Sequence, residues 1–158
     1  MSIKNKLQAG QSIVEVLIAT GVVALVMTAL MAAMTLSLQN SSQAKYKALA
    51  TKLGQEGMET FRQFRNSLGW ESFYTLLNDQ GSGEYCLNAI PTQTAQFQAL
   101  VSGECADYAI SRTGVNFKRD LNLQIISSEE IKFVVTVSWQ DGADVKSTTV
   151  TQYFKNWR

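Results

Sequence analysis

The chain has 158 residues, of which 46% are hydrophobic and 17% charged, and its formal net charge is +1. This balance is neither the strongly basic profile of a nucleic-acid-binding protein nor an acidic one, and it predicts one ordinary domain with an apolar appendage. The chain has no histidine, and it carries no P-loop, dinucleotide or GxSxG motif. Ordinary Ser-His or Cys-His catalysis is therefore excluded, and we expect a non-enzymatic protein without a cofactor.

The first apolar segment has the length of a membrane span. After Glu15 the next ionisable side chain is Lys45, which leaves 29 consecutive uncharged positions. Within them, 18 of the 23 residues from Val16 to Leu38 are Ala, Val, Ile, Leu or Met. As a helix this stretch would span about 35 Å, against about 30 Å for a hydrocarbon core. The pattern predicts a transmembrane helix over about residues 13–38.

Two features at the start of this segment indicate a specific role. Glu15 lies inside the run, and an isolated charge in a bilayer costs roughly 2.5 to 3.5 kcal/mol on insertion scales, so such an acid is treated as functional by default. The small residues Ala9 and Gly10 precede Gln11, ahead of the apolar run. A secretory signal peptide has a shorter apolar core and its cleavage site behind that core. A cut after Gly10 would instead leave the helix on the mature protein.

The stretch KNKLQAG followed by QSIVEVLIA, residues 4–19, resembles the N-terminus of type IV pilins and type II secretion pseudopilins. The resemblance extends to about residue 38. It implies that an inner-membrane prepilin peptidase cuts after Gly10 and that Gln11 becomes the mature N-terminus, which is methylated in the family. It also implies that Glu15 guides subunit docking by neutralising the terminal amine of a neighbour. Glutamine stands where the family usually has phenylalanine, so cyclisation of Gln11 is an alternative to methylation.

A local role for Glu15 remains open beside the assembly role. Glu15 lies one helical turn after Gln11, where its carboxylate could meet the amine of its own chain, and a helix dipole favours an acid near the N-terminus. Lysines flank both ends of the apolar run, so the positive-inside rule does not decide the orientation. The family resemblance implies a cytoplasmic N-terminus and an extracytoplasmic head.

Beyond the membrane segment the helix is predicted to continue as an amphipathic one. Apolar residues and a glycine recur at steps of three or four, and this predicts one stripe that packs against a sheet: Tyr46, Leu49, Leu53, Gly57, Phe61, Phe64 and Leu68. Charged residues lie opposite the stripe. We predict one helix from about Ser12 to about Asn66, in which Gly54 and Gly57 allow a sheet to approach closely.

The head is predicted to hold a disulfide and a C-terminal hairpin. Residues 69–114 are predicted to be irregular, with a short helix at Trp70–Leu77 and a loop at 78–83. In an exported head, Cys86 and Cys105 are predicted to form a disulfide, with two reduced, buried thiols as the alternative. One or two strands are expected within 108–127, and the alternating residues 133–139, a turn at 140–144 and residues 145–154 predict a β-hairpin. Asp141 and Asp144 are interpreted as turn residues rather than calcium ligands, and we predict no metal site.

These features predict an α+β protein in which a long N-terminal helix packs on a small antiparallel sheet. The expected parts are a leader (1–10), a helix (11–66) and a head (67–158). The resemblance implies a structural minor pilin or pseudopilin of a type IV pilus, a secretion pseudopilus or a DNA-uptake filament. Its implied partners are other pilin subunits, prepilin peptidase, the inner-membrane assembly platform and membrane lipid. The alternative is an uncleaved membrane-anchored protein whose extracytoplasmic head binds a ligand.

Overall fold

The structure, a computed structural model, describes the backbone of residues 7–156 and the side chains of residues 13–156. The helices and strands follow in this order: α1 (Leu7–Leu68), α2 (Trp70–Gln80), β1 (Gly83–Cys86), α3 (Thr94–Gln98), β2 (Ile110–Arg112), β3 (Val115–Ser127), β4 (Glu130–Asp141) and β5 (Asp144–Lys155). The chain forms two compact units that divide between Ala44 and Lys45. In the second unit, here called the head, α1 packs on an antiparallel sheet. The predicted α+β class is therefore confirmed.

The apolar stripe of α1 forms one side of the head core. Leu53, Phe61 and Phe64 are buried along it, and Leu68 is packed against the same cluster from a half-buried position. Such a stripe is what an amphipathic helix buries against a sheet. The prediction that the stripe contacts a sheet is confirmed, and α1 ends at Leu68, two residues beyond the predicted Asn66.

The sheet is antiparallel and has the strand order β1-β3-β4-β5, with β2 paired to β3. Alternate residues of β4, from Ile131 through Phe133 to Trp139, are buried on the side that faces α1. The Phe61 and Phe133 rings lie 4.7 Å apart and the Phe133 and Phe154 rings 5.0 Å apart, as centroid distances. Aromatic pairs at such distances add stabilisation beyond the area that they bury. The core thus lies between α1 and one face of the sheet.

Gly54 is the point of closest approach between helix and sheet. A Cβ atom built at Gly54 would lie 2.9 Å from Cγ2 of Val150, on β5, and 3.7 Å from Cγ2 of Val137, on β4. A side chain at this position would therefore overlap the sheet. The prediction that glycine permits close approach is confirmed here.

The predicted hairpin is present, but its turn is shorter than expected. Residues 140 and 141 continue β4 and Asp144 begins β5, so only Gly142 and Ala143 connect the strands. Gly142 has a φ of 65°, the positive value that a two-residue hairpin turn needs at its first position. The predicted five-residue turn was wrong because the ladder extends to the pair Asp141 and Asp144.

The prediction for residues 69–114 was partly wrong. Helix α2 begins at Trp70, as predicted, but continues through residues 78–80, which had been assigned to a loop. Gly81 ends it with a φ of 84°, and Gly83 already belongs to β1. The short elements β1 and α3 were missed, since segments of four and five residues are too short to establish a periodic pattern.

Candidate functional site

The first unit presents a continuous apolar helical surface. Every residue from Ile13 to Ala44 is exposed in the isolated chain. The most apolar part has a mean hydropathy of 2.4 and no buried residue, and the helix is long and apolar enough to cross a membrane. Exposed apolar surface of this extent indicates contact with lipid or with other apolar helices. This segment is a candidate membrane anchor.

Three threonines within this surface donate their hydroxyls to carbonyls of the same helix. The hydroxyl of Thr20 donates to the carbonyls of Val16 and Leu17, both at 3.0 Å. The hydroxyls of Thr28 and Thr35 donate to carbonyls one turn earlier, at 2.9 and 3.0 Å. Polar groups in a membrane need partners of this kind, because the hydrocarbon core offers none. These threonines are therefore compatible with an apolar environment.

The predicted processing and assembly residues lie on one continuous helix. Gly10 and Gln11 are within the helical backbone of α1, which begins four residues before the predicted mature N-terminus. Their side-chain environment lies outside the described residues. Glu15 follows Gln11 by one helical turn and is exposed. The three residues thus occupy adjacent turns of one helix, which begins at Leu7, five residues before the predicted Ser12, and Glu15 is exposed among the described residues.

Glu15 is the only charged residue between Ile13 and Ala44. Among the described residues, its carboxylate makes no ion pair or hydrogen bond. A carboxylate without a partner in an apolar environment is costly, whereas a paired and hydrogen-bonded one is far less so. The geometry leaves Glu15 free to meet a cation supplied from outside the described residues.

The predicted disulfide is present in the head. Cys86, at the end of β1, is bonded to Cys105, with 4.6 Å between their Cα atoms. The backbone amide of Cys105 donates to a carboxylate oxygen of Asp120 at 2.6 Å. Cys86 donates its own amide to the carbonyl of Val101 at 2.9 Å. The disulfide and these hydrogen bonds therefore hold the segment between the two cysteines next to β1 and β3.

A buried arginine is the main site feature that the sequence reasoning missed. Arg119 on β3 is 2% exposed. Its guanidinium donates to the carbonyl of Leu87 through Nε and to the carbonyl of Leu53 through Nη1, both at 2.8 Å. A weaker contact of 3.5 Å joins Nη2 to the carbonyl of Asn88. One side chain thus connects α1, β3 and the segment after β1.

Burial lowers the pKa of Arg119 to about 10, and the nearby charges of Glu56 and Arg112 raise and lower it, respectively. The group therefore stays charged at neutral pH. Gly57 faces this side chain, and a Cβ at Gly57 would lie at an ordinary contact distance of 3.4 Å from Cδ of Arg119 and more tightly, at 3.3 Å, from Cδ2 of Leu87. In the sequence, Arg119 lies between the apolar residues Phe117 and Leu121 at alternate positions of β3. This alternation could have indicated that the Arg119 side chain points into the core.

A second charged cluster lies at the surface near the disulfide. Nζ of Lys118 lies 3.0 Å from a Glu104 carboxylate oxygen and 3.5 Å from one of Asp120. The hydrogen bond to Glu104 is the main cause that raises the pKa of Lys118, and the charge of Asp120 acts in the same direction against partial burial. Because Asp120 also accepts the Cys105 amide, this cluster ties the disulfide segment to β3.

The side chains of residues 13–156 form no metal-binding group. Within that range no three His, Cys, Asp or Glu side chains are placed to hold a metal ion. Asp144 pairs with Lys146 at 3.2 Å. Trp139 is 4% exposed, and its Nε1 has no hydrogen-bond partner in the described part of the chain. The candidate functional site is therefore the N-terminal helix surface with Gly10, Gln11 and Glu15.

Comparisons with protein-family models, with curated proteins and with solved structures found no match to this chain.

Proposed function

We propose that this chain is a structural subunit of a membrane-derived filament, a minor pilin or pseudopilin that is processed after Gly10 and assembles through its N-terminal helix. The observation that carries the proposal is the single carboxylate of Glu15 on an otherwise uncharged and fully exposed apolar helix. The leader pattern that precedes it, with Gly10 before Gln11, supports the same function.

The physical argument concerns two groups that are each costly in an apolar environment. Cleavage after Gly10 would create an amine on Gln11, and Glu15 supplies a carboxylate one turn later. In a filament core of packed apolar helices, the carboxylate of one subunit would neutralise the amine of the next. A pair of opposite charges with good geometry offsets much of the desolvation that either charge alone would suffer. The rest of the exposed surface would be covered by lipid before assembly and by neighbouring helices afterwards.

The head supports an extracytoplasmic location in this proposal. Disulfides persist in oxidising compartments and are rare in the cytosol. The bond between Cys86 and Cys105 therefore favours a head outside the inner membrane and an N-terminus in the cytoplasm, where prepilin peptidase and the assembly platform would meet the leader.

N-terminal sequencing of the membrane-purified protein tests the processing step. The expected mature chain begins at Gln11, with or without methylation or cyclisation of that residue. Gly10→Leu should accumulate as the longer precursor, because a peptidase that accepts glycine at the scissile bond must exclude a large side chain there. Gly21→Leu is the matched control, since a Cβ at Gly21 meets no atom within 4 Å. Normal processing of Gly10→Leu would contradict the proposal, and an intact Met1 in the wild type would favour the uncleaved binding protein.

Glu15→Ala separates assembly from insertion. Removal of the charge makes membrane residence easier, by up to about 3 kcal/mol on insertion scales, so insertion and leader cleavage should be unchanged. Incorporation into sheared filaments, or crosslinking to partner subunits, should fall. The carboxylate-retaining variant Glu15→Asp should keep part of that incorporation, whereas Glu15→Gln should behave as Glu15→Ala does. Wild-type incorporation of Glu15→Ala would leave Glu15 with only a role at its own helix terminus.

A further inference from the structure

The charges of the head are segregated along the chain. Residues 66–111 contain five acidic side chains and no lysine or arginine: Glu71, Asp79, Glu84, Glu104 and Asp107. In the part of the chain that the structure describes, only Glu104 among these five has an ion pair, to Lys118. A surface that carries one sign of charge favours a partner of the opposite sign.

Asp79 and Glu84 lie at the side of the head where β1 ends the strand order, here called the acidic edge. Glu84 belongs to β1. Tyr85, the next residue of β1, donates its hydroxyl to the carbonyl of Gln80 at 2.6 Å, which holds the last turn of α2 against β1. Asp79 precedes Gln80 and is exposed. Strand β5 lies at the opposite end of the strand order.

Asp79 has a position that its own helix disfavours. The last turn of α2 contains no basic residue. The C-terminus of a helix carries a partial negative charge, so a cation is stabilising there and an acid is not. Among the described residues, the Asp79 carboxylate makes no ion pair or hydrogen bond. A cation supplied by another molecule would therefore offset both the carboxylate and the helix dipole.

A cavity on the opposite side of the head, between α1 and β5, offers such cations. This basic cavity has a volume of about 220 Å³, and three of the described residues that line it are Arg62, Arg65 and Lys155, with no acidic residue in the lining. Glu59 pairs with Arg62 and Glu130 pairs with Lys155. Arg65 has no carboxylate partner among the described residues, and its Nη2 donates to the carbonyl of Lys155 at 2.9 Å. Its other N–H groups can bind a carboxylate, whose geometry matches a guanidinium.

The acidic edge and the basic cavity lie at the same height along the strands. Gly83, the first residue of β1, pairs with Leu123, and Leu123 pairs with Phe133. Phe133 in turn pairs with Gln152, which lines the basic cavity. Asp79 precedes Gly83 by four residues, in the last turn of α2. Two heads placed side by side would therefore bring Asp79 of one next to the cavity of the other without sliding along the strands.

We propose that Asp79 of one copy of this chain binds in the basic cavity of a second copy, between its Arg62, Arg65 and Lys155. The two surfaces differ, so the contact is heterologous and can be repeated from copy to copy. Both heads keep the same orientation, because the acidic edge of one meets the β5 side of the next. Residues 45–68 of α1 therefore run in the same direction in both copies, and chains held in one membrane can make the contact.

The contact depends on several groups and on membrane confinement rather than on one ion pair. An exposed ion pair alone contributes little. Chains anchored in one membrane meet at a raised effective concentration. Tyr153, which is 51% exposed, also lines the basic cavity and adds apolar surface to the contact. Because exposed charges are screened by salt, the contact should weaken as ionic strength rises.

Cysteine crosslinking of the full chain, reconstituted in phosphatidylcholine vesicles, tests the contact. Asn78→Cys marks the acidic edge and Asn66→Cys marks the basic cavity, and both positions are exposed. The native cysteines are bonded to each other, so a short bismaleimide reacts only with the introduced ones. Asn116→Cys is the matched control, because it is exposed on β3, between the two edges. We expect about fivefold more dimer from the mixture of Asn78→Cys with Asn66→Cys than from either variant alone or mixed with Asn116→Cys.

Charge variants of Asp79 identify the group that binds. Asp79→Lys in the Asn78→Cys chain should lower the crosslink about fivefold, whereas Asp79→Glu should keep it within about twofold. A lysine at this helix end is favourable for α2 itself, so the loss would not come from unfolding. A mixture of the Asp79→Lys chain with an Asn66→Cys chain that carries Arg65→Glu should regain the crosslink.

Two results would overturn the proposal. One is equal crosslinking of Asn78→Cys with Asn66→Cys and with Asn116→Cys, and the other is a crosslink that Asp79→Lys or about 0.5 M salt leaves unchanged. The outcome is separate from the proposed filament function, since leader cleavage can fail while this crosslink forms.

Discussion

The contact between Gly54 and Val150 leads to a quantitative prediction for the helix–sheet interface. Ordinary carbon contacts lie at 3.4 to 4 Å, and a Cβ at Gly54 would lie 2.9 Å from Cγ2 of Val150. The helix or the strand must therefore move by at least about half an ångström, or Val150 must leave its rotamer. The neighbour is a short β-branched side chain on a strand, so it has little freedom to yield.

The expected size of the effect follows from two opposing terms. Alanine in place of glycine in a helix interior gains about 1 kcal/mol. Overpacking of a well-packed core costs about 1 to 3 kcal/mol. We expect Gly54→Ala to destabilise the head by up to about 2 kcal/mol, the difference between these two terms. Gly57→Ala should change stability by less than about 1 kcal/mol, because its closest neighbour, Cδ2 of Leu87 at 3.3 Å, is the end of a flexible side chain.

The assay is urea unfolding of the full chain in detergent, followed by near-ultraviolet circular dichroism of the aromatic core. Val150→Ala removes the atom that Gly54→Ala meets, so the double variant should be more stable than the sum of the single effects predicts. We expect a coupling of about 1 to 2 kcal/mol in this double-mutant cycle, within the range measured for residues in contact. Additive effects, or a Gly54→Ala protein more stable than the wild type, would refute the close approach.

Three further predictions concern the head core, the disulfide and the surface cluster. Phe61→Ala should cost about 3 to 5 kcal/mol of unfolding free energy, since Phe61 is fully buried, and a loss below about 1 kcal/mol would show that α1 is not part of the core. Replacing Cys86 and Cys105 together by serine should lower stability by about 3 kcal/mol in the chain-entropy model, and reduction of the wild type should give the same loss. Lys118→Met should lower stability at neutral pH. The folded pKa of Lys118 is raised by Glu104, so the part of this difference that comes from the lysine charge should be constant from about neutral pH to the usual pKa of 10.5 and should be lost as pH rises through the folded value. A difference that does not change over this alkaline range would refute the ion pair.

The sequence predicted those elements whose pattern repeats over several turns or strand pairs. The apolar stripe through Leu53, Phe61 and Phe64 repeats often enough to define a helical face, and the alternation through Phe133 defines a strand face in the same way. The disulfide followed from two cysteines in a head expected to be exported. Glycines 54 and 57 were assigned to close approach because glycine has no side chain, and the approach of Val150 to Gly54 confirms this.

The misses have a common physical origin in short or locally ambiguous segments. The loop predicted at residues 78–83 contains Asn, Asp, Ser and Gly, which favour turns, but packing of Leu76 and Leu77 in the core extends α2 to Gln80. Tertiary burial thus overrode local propensity. In the hairpin, the pairing of β4 with β5 extends to Asp141 and Asp144. These residues had been assigned to the turn because their residue types favour turns.

Arg119 shows why some features of a core cannot be derived from a pattern of side chains. The alternation of residues in β3 could have predicted that Arg119 points inward. Its hydrogen-bond partners, however, are the backbone carbonyls of Leu53 and Leu87. A pattern of side chains does not indicate which backbone carbonyls the fold leaves within reach. The carbonyl of Leu53 belongs to the same helical turn as Gly57, which faces the Arg119 side chain. A buried charge held in this way is strongly disfavoured once its acceptors move, because the cost of desolvation then has no compensation. The turn of α1 that contains Leu53 and the inward Arg119 of β3 therefore form one structural feature, in which the helix backbone accepts a hydrogen bond from a charge on the sheet.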